Sequence, residues 1–208
     1  MLGLALACVA WVGVLLQLWL SLRLAAANGK SMLAGLVAYL GYFTVLTNLL
    51  VALVLTAHGL GASGRAGRLL RHPQVLACAA VSITLVGLGY HLLLRHVWDP
   101  QGLQWVADVL LHYIVPMLFV LYWIFELPKR PLPWWSPLAW AIYPLAYVAY
   151  AFLRGEALGT YPYPFIDVGV LGYARSLRNA FSLWLGYVFA GALYLALARA
   201  AGRSRRAA

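Results

Sequence analysis

Six stretches of this chain are long and apolar enough to cross a lipid bilayer, and that property rules out most folds at once. They run roughly over 2–26, 32–58, 74–97, 102–126, 135–153 and 179–200. About 20 helical residues, rising 1.5 Å each, suffice for a hydrocarbon core of roughly 30 Å. Composition agrees: 64% of residues are hydrophobic and 10% charged, whereas soluble domains sit near half apolar and about a quarter charged. The expected fold is all-α, a polytopic bundle of six transmembrane helices forming one domain over residues 1–208.

The first stretch lacks a basic N-terminal region and is too long for a signal peptide, so it reads as a retained helix. Cys8 and Cys78 fall inside apolar runs and read as small core residues, with no Cys-x-x-Cys spacing. A net charge of +10 suggests nucleic acid at first sight. The basic residues lie in short loops and at the C-terminal end, however, which membrane topology explains better. One side collects Arg65, Arg68, Arg71, Lys129, Arg130, Arg199, Arg203, Arg205 and Arg206, and the other Arg23, Lys30, Arg95, Arg154, Arg175 and Arg178. Nine against six makes the first side cytoplasmic, with both termini inside and a multi-pass location in the cell (inner) membrane. Membrane lipids are the expected partners and no nucleic acid is; the sequence leaves oligomeric partners open.

The loops differ in kind. Segment 59–72 is a Gly- and Arg-rich connection, and 127–133 is a turn broken by three prolines. Segment 154–178 is apolar and aromatic and contains Tyr161-Pro162-Tyr163-Pro164-Phe165. A loop of that composition is expected to fold over the bundle mouth as a lid, with Tyr161, Tyr163 and Phe165 facing lipid or substrate.

Ionisable groups are costly in hydrocarbon, so those inside spans point to function. The second span holds Thr44, Thr47 and Asn48, and the fourth holds Asp108 and His112. Counting along straight helices places Thr44 about 18 Å and His112 about 15 Å from their outer ends, near one level. Asp108 is one turn from His112 on the same face, in a stripe running from Trp105 through Asp108 and His112 to Pro116. His91 in the third span ends near the level of Asp108 and reads as a structural group.

A hydroxyl, an imidazole and a carboxylate are the parts of nucleophilic acyl transfer. The hydroxyl needs an adjacent base, and a carboxylate on the second imidazole nitrogen fixes the tautomer. The blander reading is also open: a transmembrane Thr commonly bonds its own i−4 carbonyl, and Asn48 is most simply an interhelical contact. Asn48 or a Tyr hydroxyl is a candidate oxyanion donor.

The pattern Tyr42-Phe43-Thr44-x-x-Thr47-Asn48-Leu49 resembles that of the androgen-induced membrane proteins and their bacterial relatives. So do Leu111-His112-Tyr113-Ile114-Val115-Pro116 and the Tyr161–Phe165 segment. The resemblance implies a multi-pass threonine hydrolase acting on fatty acid esters of hydroxy fatty acids. By motif, Thr44 corresponds to the nucleophile and His112 to the base, with no cofactor and no metal. Thr47 takes the place of Thr44 under a shifted alignment. The competing expectation is a non-enzymatic membrane protein that binds or transports a lipid-like ligand, or a metal if His91 and His112 converge with Asp108. Paired inverted repeats or broken helices would favour transport, and neither is visible in the sequence. A rhomboid-type protease is disfavoured because no Gly-x-Ser-x-Gly-type loop is present.

Overall fold

A computed structural model describes residues 1–127 and 132–207, with only the backbone course given for 201–207. Most of the proline-broken turn at 127–133 and the side chains of Arg203, Arg205 and Arg206 therefore lie outside the described residues. Among the described residues the chain is helical throughout and contains no strand. Five helices among the described residues are long and apolar enough to cross a membrane, or six if one sharply bent pair counts as a single span. The chain divides into two compact units, Met1–Pro128 and Lys129–Ala208.

In the first unit, α1 (Leu2–Ala27) is the spine. Lipid tails are as apolar as leucine, so helices associate in a bilayer through close packing and hydrogen bonds, and small residues favour close approach. The buried residues of α1 fit that rule: Gly3, Ala7, Ala10, Gly13 and Val14 lie along one stripe. Cys8 is exposed on the other face and Cys78 is only partly buried, so the expectation that both are core residues fails for Cys8. The small side chains of α1 share one face with Gly13, and its two polar anchors are Trp11 and Gln17. The Trp11 indole donates to Thr56 Oγ1 at 3.0 Å, and Gln104 donates to Gln17 at 2.9 Å.

The second predicted span, 32–58, is broken rather than continuous. Helix α2 (Met32–Tyr39) and helix α3 (Phe43–Gly59) meet at 82° across Leu40–Tyr42. Ser31 caps α2 by accepting from Ala34 N–H, and Tyr39 anchors it to α1 by donating to the Val14 carbonyl at 3.0 Å. Gly41 sits in the break, and glycine costs about 1 kcal/mol relative to alanine inside a helix. Tyr42 has extended backbone angles and α3 restarts at Phe43. Thr44 is therefore the second residue of a half-helix. The count of residues from Met32 does not measure its depth, because that arithmetic assumes a straight rod.

After the short α4 (Gly64–Leu70), α5 (Pro73–Gly89) ends in a wider π turn, Tyr90–Leu94. The next span has the same device at its centre. Helix α6 (Leu103–Val109) passes through a π turn, Leu110–Ile114, into α7 (Val115–Phe125). The cause is legible at Pro116, which has no N–H to give the His112 carbonyl and whose ring crowds that carbonyl. Gly87 faces this spot: a Cβ there would lie 3.2 Å from the His112 carbonyl oxygen and 3.3 Å from Pro116 Cβ. Replacing Gly87 with Val should therefore force α5 and α7 apart. The expected cost is about 1–3 kcal/mol, read as a lower Tm in detergent.

In the second unit, α8 (Ser136–Trp140) and α9 (Ile142–Leu158) pack with α10 (Val168–Ala207), which contains a break at Gly172 (φ 73°). Trp184 donates to the Ala141 carbonyl at 3.1 Å, and the Arg199 guanidinium donates to the Leu132 carbonyl at 3.1 Å. Gly159, in the left-handed conformation (φ 67°), ends α9 and starts the turn towards Pro164–Ile166. The predicted loop 154–178 is thus largely helix: the chain leaves it between Leu158 and Val168 and again at the Gly172 break.

Candidate functional site

The polar residues of the second and fourth predicted spans all belong to the first unit. Thr44, Thr47 and Asn48 are buried on α3, and Asp108 is 4% exposed. Asn48 ties the two spans together: its Nδ2 donates to the Thr44 carbonyl at 2.8 Å and to the Leu111 carbonyl at 3.1 Å. The residue after Leu111 is His112, so this amide sets the backbone of Thr44 beside the π turn that carries the imidazole. Val45 and Leu111 close the same interface with Val14 and Tyr39 in one core cluster. Both amide protons of Asn48 are committed to carbonyls, which removes it as an oxyanion donor. Its Oδ1 is buried without a hydrogen-bond partner.

His112 is held from three directions. Its Nδ1 is 3.0 Å from the Asp108 carbonyl oxygen. A carbonyl only accepts, so this contact places a proton on Nδ1; in the neutral ring Nε2 then keeps its lone pair. The same Nδ1 lies 3.2 Å from Asp108 Oδ1, close enough for attraction but outside hydrogen-bond geometry. The face of the imidazole stacks on Tyr90, with ring centroids 3.9 Å apart and planes 17° off parallel.

Tyr90 is the member that reading the sequence missed. It lies at the start of the π turn ending α5, is 5% exposed, and donates to Asp108 Oδ2 at 2.6 Å. The two π turns pair: Tyr90 and His91 on one meet His112 and Tyr113 on the other. Tyr113 stands edge-on to Tyr90 at 5.6 Å, and its hydroxyl is 3.3 Å from His91 Nδ1. Wide π turns inside α-helices occur often at functional sites.

Two expectations about this region are corrected. The stripe from Trp105 to Pro116 does not share one environment, because Trp105 is 55% exposed while Asp108 and Pro116 are buried. Trp105 and Asp108 both precede the π turn, three residues apart on α6, so they differ by the helix face they occupy. His91 is exposed, with its Nε2 2.9 Å from Arg95 and its Nδ1 3.3 Å from the Tyr113 hydroxyl. Among the described residues no three His, Cys, Asp or Glu side chains come together as a metal site.

Tyr161, Tyr163 and Phe165 belong to the second unit and engage its own helices. The Tyr161 hydroxyl donates to Glu156 at 2.7 Å, as does that of Tyr173, and this bond pushes the Tyr161 phenol up to about 12. Gly155 lies directly under the Tyr161 ring, with no room for a Cβ. Tyr163 stacks on Phe165 at 5.1 Å and meets Tyr147 edge-on at 6.4 Å. Asn179 donates to the Phe165 carbonyl at 3.0 Å, which pins the turn to α10.

The arrangement in the first unit defines a class: a multi-pass helical membrane protein with a buried Asp–Tyr pair holding a partly accessible His, beside a hydroxyl-bearing half-helix. No family model, curated protein or solved structure matches the chain.

Proposed function

We propose that this protein is an intramembrane hydrolase of long-chain lipid esters, such as fatty acid esters of hydroxy fatty acids, with Thr44 as nucleophile and His112 as base. Resemblance to the androgen-induced membrane proteins names the same two residues. The observation that carries the reading is the Asn48 bridge, which joins the carbonyls of Thr44 and Leu111 and so brings the hydroxyl-bearing turn alongside His112. The Nδ1 contact with the Asp108 carbonyl supports it, because a base must present an unprotonated nitrogen.

In this mechanism Thr44 Oγ1 attacks the ester carbonyl carbon while its proton passes to His112 Nε2. The tetrahedral intermediate collapses, the C–O bond to the alcohol breaks, and the departing alkoxide takes that proton. Water then attacks the acyl-threonine, with His112 again accepting and returning a proton, and the fatty acid leaves. Thr44 is the second residue of α3, where the helix dipole favours negative charge developing on the carbonyl oxygen. Substrate enters sideways from the inner membrane, and the chain lies with both termini in the cytoplasm.

The test is direct. The purified protein in lipid nanodiscs should split a palmitoyl ester of hydroxystearic acid into its two acids. A second reading, non-enzymatic binding or transport of a lipid-like ligand, draws support from the broken second span, since discontinuous helices recur at transporter binding sites. Retention of intact ester with no hydrolysis would favour it.

A further inference from the structure

Tyr90 touches both Asp108 and His112, yet neither the nucleophile nor the base role uses it. We infer that Tyr90 is a positioning residue for His112, holding Asp108 with its hydroxyl and the imidazole with its ring. The inference rests on the hydrolase reading for its kinetic consequence alone.

The geometry leaves the imidazole little freedom. A carboxylate four residues earlier on the same helix is poorly aimed at Nδ1, and the 3.2 Å approach of Asp108 Oδ1 falls outside hydrogen-bond geometry. Asp108 therefore needs a second anchor to keep Oδ1 where it is. The Tyr90 hydroxyl supplies it at Oδ2, 2.6 Å away and from a different helix. The same ring covers the face of His112, so the imidazole cannot tilt out of plane without losing the stack. Tyr113, edge-on at 5.6 Å and itself in contact with His91, also packs against Tyr90. With Asp108 anchored, a flip of the imidazole would exchange Nδ1 for a carbon and face the carbonyl and Oδ1 with no donor. One ring orientation and one tautomer remain, with the proton on Nδ1 and Nε2 free to accept.

Tyr90→Phe keeps the stack and removes only the hydroxyl, which releases Oδ2 and lets the carboxyl rotate. The measurement is the ¹⁵N spectrum of histidine-labelled protein in nanodiscs, with His112 assigned by its loss in His112→Gln. The wild-type protein should show a single tautomer protonated at Nδ1, and Tyr90→Phe a mixture of both. Asp108→Asn should give the same mixture, because the neutral amide removes the negative charge that attracts the Nδ1 proton. In the ester assay, kcat of Tyr90→Phe should fall roughly tenfold to a hundredfold with KM within about twofold, less than the loss of a general base itself. An unchanged single tautomer with wild-type kcat in Tyr90→Phe would overturn the inference. If the wild-type protein splits no ester, the hydrolase reading fails by itself. The nitrogen spectra then still decide whether Tyr90 sets the tautomer.

Discussion

His112→Ala should lower ester hydrolysis by about a thousandfold or more, and Thr44→Ala should remove the acyl-enzyme route altogether. A positioned general base contributes roughly 10²–10⁴ to rate, and a nucleophile that cannot lose its proton forms no covalent intermediate. Residues that act as a unit are not additive, so the double variant should be little slower than either single one. Rates are to be compared in nanodiscs at equal protein, with circular dichroism showing that each variant stays helical. His112 is a fair target because its ring is partly accessible, at 14% exposure, and among the described residues its hydrogen bond is to its own helix. A double variant much slower than both singles would mean that the two residues work separately.

Asn48→Leu has the second largest expected effect, and it acts through placement. The amide is fully buried and joins α3 to the π turn of the fourth predicted span. Leucine of similar size leaves the Leu111 carbonyl without its donor. An unsatisfied buried acceptor costs about 1–3 kcal/mol, although interhelical hydrogen bonds in membranes average nearer 0.6. The larger consequence is kinetic, because a shift of about 1 Å between reacting groups can cost a hundredfold. A modest fall in Tm together with a kcat reduced about a hundredfold is the expected pattern. A large fall in Tm with unchanged specific activity would assign Asn48 to stability alone.

Most of the helices were legible because hydrocarbon imposes length and composition on a span, and both can be read directly. The break in the second span was not. It contains no proline, and the only local sign is Gly41 beside Tyr42 and Phe43, which many continuous transmembrane helices would tolerate. Depth arithmetic for Thr44 failed for that reason. The ends of α9 and α10 were misjudged because Arg154, Arg175, Arg178 and the aromatic residues between them look like loop composition. The true interruption needs only Gly159 and the two prolines at 162 and 164.

In the site, Asp108 and His112 stood out because ionisable residues are rare at that depth. Tyr90 did not, since a tyrosine near a span end reads as an interfacial anchor, one of thirteen in the chain. Its role depends on a π turn closing α5, and nothing in Gly89-Tyr90-His91 signals that turn. Pro116 was visible, but its effect on the His112 carbonyl emerges only with Gly87 packed opposite. By residue type Asn48 suits either an interhelical contact or an oxyanion donor, and the structure uses it for the first. Both of its protons are spent on carbonyls.

The central claim is that a threonine hydroxyl beside His112 is activated for attack. Peptide mass spectrometry after treatment with a long-chain fluorophosphonate measures it most directly. The expected result is a single adduct on Thr44, absent in both Thr44→Ala and His112→Ala. An adduct on another residue, or one that persists in Thr44→Ala, would contradict the account.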